Sequence, residues 1–130
     1  MLFFGHRFIQ SEHFYHIPNI EAIKNTPSNS TIYIEYNEEN IDIVKYAVVN
    51  DVKVALHVEN ITTIVYGNAL GVSYLVVSKA LAKTAQSLAD TYLFDSKILV
   101  NIEDEKDIEE MALFGVDGVL FSNAIIKINS

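Results

Sequence analysis

At 130 residues, half of them hydrophobic and 20% charged, the chain is sized for a single domain spanning residues 1–130 and carries too much apolar surface to stay disordered. A formal charge of −8 with only nine scattered basic residues argues against nucleic acid as a partner, and the absence of cysteine excludes disulfides and thiolate chemistry. No apolar run approaches the roughly 20 residues that cross a bilayer, and no charged region precedes a long apolar stretch at the amino terminus; the expectation is a cytosolic chain without a membrane partner.

The first thirty residues predict two short strands, Phe3 to Ile9 and His13 to Ile17, joined around Gln10-Ser11-Glu12 as an N-terminal β-hairpin. A short helix over Asn19 to Asn25 and a turn over Pro27 to Ser30 follow. From Thr31 onward the pattern becomes strand, turn and helix, repeating about every 20 residues. The strands are Thr31 to Tyr36, Lys53 to His57, Val72 to Val77, Lys97 to Ile102 and Val116 to Phe121. Runs such as Leu75-Val76-Val77 and Ile98-Leu99-Val100 lack alternation, as expected for parallel strands covered on both faces. Helical spacing places Ile41, Val44 and Val48 on one inward face, Leu81, Ala85, Leu88 and Tyr92 on a second, and Ile108, Met111 and Ala112 on a third. Gly71 and Gly115 stand where a left-handed residue ends a helix at least cost. The predicted fold is α/β: an open, mainly parallel sheet of about five to six strands with helices on both faces, flavodoxin-like or half-barrel, plus the hairpin.

In such a sheet ligands bind beyond the carboxyl ends of the strands, where turns and helix amino termini gather. That edge would carry Asn37, His57, Glu59, Ser78, Lys79, Asn101, Glu103, Ser122 and Asn123. Asn37, Ser78, Lys79, Asn101, Ser122 and Asn123 form a candidate lining for a small anionic ligand, and Asn37, Ser78 and Asn123 are equally suited to capping helices. Glu103, Asp104, Glu105 and Asp107 read as carboxylates complementing the amino end of the last helix. His57 and Glu59 alternate along one extended segment, and with Glu35 could offer a nitrogen and several oxygens to a divalent cation.

The segment Asp104-Glu105-Lys106-Asp107-Ile108-Glu109-Glu110-Met111, followed by Gly115-Val116-Asp117-Gly118-Val119-Leu120-Phe121, resembles the closing units of the glycerophosphodiester phosphodiesterase family of (β/α)8 barrels. His6-Arg7 matches that family's His-Arg pair, and Glu35-Tyr36-Asn37 matches its Glu-x-Asp metal motif in part. The resemblance implies His6 and His57 as acid and base, Arg7 on phosphate oxygens, and Glu35 helping to hold Mg or Ca. Asn37 stands where the family has a carboxylate and Val58 where it has an acid, and 130 residues fall short of the about 250 of a full barrel.

Two functions compete on this reading. One is a non-catalytic binding or structural domain, expected to be a homo-oligomer, with a small-anion site at the carboxyl edge. The alternative is a reduced metal-dependent phosphodiesterase using His6, Arg7, Glu35 and His57. With five glycines and no Gly-x-Gly-x-x-Gly spacing, dinucleotide binding is not expected.

Overall fold

The computed structural model describes residues 1–128. Eight strands alternate in part with four α-helices: β1 (Leu2–Phe4), β2 (Phe14–His16), β3 (Thr31–Glu35), α1 (Ile41–Val49), β4 (Lys53–His57), α2 (Ile61–Leu70), β5 (Tyr74–Val77), α3 (Lys79–Tyr92), β6 (Lys97–Ile102), α4 (Asp107–Phe114), β7 (Gly118–Phe121) and β8 (Ile125–Lys127). All pair in parallel in one sheet of order β1-β7-β6-β5-β4-β3-β2-β8. The expected five to six strands are therefore eight. The expected hairpin is absent as well: β1 pairs with β7 and β2 lies between β3 and β8, so the two segments are parallel and bonded to distant partners.

Connectivity forces this sheet to curl. β7 and β8 are separated by only Ser122–Ala124, yet six strand-to-strand steps lie between them in the sheet order. Laid flat, those steps would span about 29 Å, whereas the linker reaches at most about 14 Å. The sheet bends into an open half-barrel, and the β7–β8 linker passes close over Gly5. A Cβ there would lie 2.7 Å from Asn123 Oδ1 and 3.1 Å from the Ala124 nitrogen. Gly5 has φ +85°, a conformation that costs a glycine least.

Alternate residues of the strands serve two cores. Ile32 and Ile34, Val54 and Leu56, Leu75 and Val77, Ile98 and Val100 face outward and pack under Val44, Ile64, Ala82, Ala85 and Met111 of the four helices. The residues between them, Tyr33, Ala55, Val76 and Leu99, face the concave side with Phe4, Phe14 and Leu120, a core to which no α-helix contributes. The helices thus cover one face, not both, and the curled sheet fills its concavity with its own side chains. Phe14 stacks on Tyr74 with ring centroids 5.4 Å apart and meets Phe4 at 4.8 Å, aromatic contacts that join β1, β2 and β5 across the concavity.

The helices obey their local signals. Asn60 and Thr63 form a capping box at the start of α2, and Gly71 and Gly115 end α2 and α4 at φ +88° and +72°. Two expected inward residues, Tyr92 and Ala112, are exposed; α3 buries Ala85 as expected, together with Ala82, Ala89 and the amide of Gln86, and the three alanines seat it close to β6. Asp117 of the Gly-Val-Asp-Gly segment is structural. Its Oδ2 accepts the Ile98 N–H at 2.8 Å, and its own N–H donates to Oε1 of buried Gln86 at 2.9 Å, tying β6, β7 and α3 together at the amino end of the strands.

Candidate functional site

With every strand parallel, the carboxyl ends share one rim, and β1 joins it through the three residues that follow it, Gly5, His6 and Arg7. Three donors there converge on one carboxylate. Arg7 Nε donates to Glu105 Oε1 at 3.0 Å, Arg7 Nη2 to Oε2 at 3.4 Å, and His6 Nε2 lies 3.2 Å from Oε1. His6 Nδ1 accepts the Phe8 N–H at 3.1 Å, which leaves the imidazole hydrogen on Nε2, facing Glu105. The hydrogen bond from Arg7, followed by the Arg7 charge, holds the Glu105 carboxyl below the usual glutamate range.

This cluster borders a cleft of about 570 Å³ lined by Gly5, His6, Arg7, Glu103, Asp104, Glu105, Phe121 and Asn123. The other acids of the loop have their own partners: Glu103 accepts from the Ser122 hydroxyl, and Asp104 Oδ1 accepts the Lys106 N–H at 2.9 Å, capping the turn into α4. The sequence pattern makes Glu105 one more capping carboxylate; its partner Arg7 lies 98 residues away, a pairing with no local signature.

The remaining candidates are distributed around the rim. Asn37 Oδ1 accepts the Asn40 N–H at 2.8 Å as a cap. Lys79 Nζ pairs with Asp107 Oδ1 at 3.1 Å, while Ser78 precedes α3 without using its hydroxyl to cap it. Asn101 shares the concave face with Leu99, two residues before it, and its Oδ1 is buried with no hydrogen-bond partner among the described residues. Glu35 and His57 are register partners on β3 and β4, and Glu59 is exposed beyond them. Among the described residues, no three His, Asp or Glu side chains are grouped to hold a metal ion.

The two candidate acid–base histidines lean on opposite faces of the sheet. His6 packs edge-on against Phe3 and Phe121, which belong to the helix-covered side, with centroids 5.8 and 5.7 Å away. His57 stacks over Tyr33 of the concave core at 6.4 Å, and His16 meets the same phenol ring edge-on at 5.4 Å.

Burial, and secondarily the charge of Glu35, pushes the Tyr33 phenol up to about 12 from 10.0. Folding therefore favours the neutral phenol. Its contribution is complete below pH 10 and is lost as the pH rises toward 12, because the unfolded chain releases that proton first. Alkaline absorbance titration should show a late phenolate step that disappears in Tyr33→Phe; an identical curve for the variant would contradict this environment.

Fold and site together define a small parallel α/β protein with a carboxylate-filled donor cluster at the carboxyl rim. No protein-family model and no curated protein matches the sequence. No helix among the described residues is long and apolar enough to cross a membrane.

Proposed function

We propose that the protein is a non-catalytic binding domain that holds a small anionic ligand at the carboxyl rim, in the cleft between His6-Arg7 and the β6–α4 loop. The observation that carries this reading is the convergence of Arg7 Nε, Arg7 Nη2 and His6 Nε2 on the two oxygens of one carboxylate. A planar guanidinium beside an imidazole N–H is a donor set suited to oxyanions, and Asn123 adds an amide to the cleft wall. Ser78, Lys79 and Asn101 are further rim residues proposed as ligand contacts, outside the lining of this cleft.

The phosphodiesterase-like alternative draws less support. It asks His6 and His57 to act on one substrate with Mg or Ca held through Glu35 and Glu59, whereas the two imidazoles lean on opposite faces.

Titration with acetate, followed by the amide resonances of Arg7 and Phe8, tests the binding reading. A ligand of so few atoms is expected to bind in about the millimolar range. Replacing Arg7 by Ala is expected to weaken binding about tenfold or more, since hydrogen bonds to charged groups contribute roughly 1.5–3 kcal/mol. Absence of saturable shifts both in the wild type and in Glu105→Gln, or an unchanged affinity in Arg7→Ala, would overturn the reading.

A further inference from the structure

We infer that Glu105 is an internal occupant of the His6–Arg7 site and that the site takes carboxylate-bearing small molecules by exchange with it. This rests on the binding reading above and specifies its ligand class and its control. Oε1 of Glu105 receives both Arg7 Nε and His6 Nε2, and Oε2 receives Arg7 Nη2, so one carboxylate already uses all three donors. A ligand carboxylate can reproduce that geometry without moving Arg7 or His6.

Release of Glu105 is a local event. Its side chain is 43% exposed, and its backbone is held independently: the Glu105 carbonyl accepts the Ile108 N–H at 3.1 Å and the Asp104 carbonyl accepts the Asp107 N–H at 3.0 Å. Rotation about side-chain bonds frees the donors while the turn stays in place. The flanking acids favour a singly charged ligand. Glu103 and Asp104 line the same cleft, and their charges oppose a phosphate of nearly two negative charges more strongly than a carboxylate of one. A tethered carboxylate competes at a high effective concentration, so the free site is a fraction of the total and the apparent affinity falls by that fraction.

Wild type, Glu105→Gln and Glu105→Gln/Arg7→Ala are to be titrated with acetate and, separately, with inorganic phosphate at low ionic strength, thermal melting confirming that each chain is folded. Glu105→Gln is expected to bind acetate about fivefold more tightly than wild type, the competition an exposed ion pair can exert. Acetate should bind Glu105→Gln more tightly than phosphate does, and Arg7→Ala should remove the gain. Equal acetate affinity in wild type and Glu105→Gln would overturn internal occupancy while leaving the binding reading intact. Tighter phosphate than acetate binding in Glu105→Gln would overturn the carboxylate assignment. No saturable binding in any chain would overturn the binding reading itself.

Discussion

Gly5→Ala is expected to destabilise the fold by about 3 kcal/mol, combining a left-handed backbone forced on an L-residue with overpacking. The overpacking arises because the new methyl group would sit 2.7 Å from Asn123 Oδ1, 3.0 Å from Ala124 Cβ and 3.1 Å from the Ala124 nitrogen, where the β7–β8 linker passes over Gly5. The Asn123 amide can rotate away, but the Ala124 backbone cannot, so the linker itself must shift by a few tenths of an ångström. The melting temperature should fall by roughly 10 °C. Gly115→Ala separates the two causes: φ is +72° but no atom lies within 4 Å of the added carbon, so only the conformational cost of about 1 kcal/mol remains. Equal losses for the two variants, measured by thermal or urea unfolding, would place Gly5 outside any close contact.

Phe14→Ala should cost about 4 kcal/mol, the range for truncating a fully buried aromatic ring. That is a large share of the about 5–15 kcal/mol that holds a domain of this kind together. Phe14 is fully buried between the Phe4 and Tyr74 rings, in a concave core that no helix supports, so no neighbouring helix can settle into the cavity. Phe8, six residues earlier, is 75% exposed, supports the Arg7 guanidinium 4.3 Å above its ring and meets the His6 ring at 5.5 Å. Its truncation should cost less than about 1 kcal/mol. Urea unfolding of both variants checks the contrast, and a Phe14→Ala chain of near wild-type stability would mean the concave face is not a packed core.

The central strands were legible because their apolar runs are uninterrupted and their turns carry helix caps and glycines. Lys53–His57 and Lys97–Ile102 are bounded in the structure as the sequence reading bounded them. The termini were not, because their partners are remote: Gln10-Ser11-Glu12 suggests a local turn, while the hydrogen bonds of β1 go to β7, more than a hundred residues on. β8 has three residues, too few for a period to register. Doubly buried strands suggested helices on both faces; the second cover is instead made by Phe4, Phe14, Tyr33 and Tyr74, which a linear pattern cannot assign to one concavity.

The rim was legible from the rule that parallel strands gather their carboxyl ends, which placed Lys79, Asn101, Ser122 and Asn123 correctly along it. Their contacts were not legible. Ser122 serves Glu103, Lys79 serves Asp107 and Asn37 serves a turn, pairings decided by how far each strand protrudes past its neighbour. The His6-Arg7 pair stood out as a motif, but its partner Glu105 sits within an acidic run whose members look alike in sequence and differ only in what the curled sheet brings opposite them.

One curled, all-parallel sheet, with β1 paired to β7 and the β7–β8 linker passing over Gly5, underlies every site described. Nuclear Overhauser effects test this most directly. Contacts from Gly5 to the Ala124 methyl group and from the Phe4 ring to the Tyr74 ring are expected, with no close α-proton pairs between residues 2–4 and 14–16. Strong α-proton contacts between those two segments, the mark of antiparallel pairing, together with no contact between Gly5 and Ala124, would contradict it.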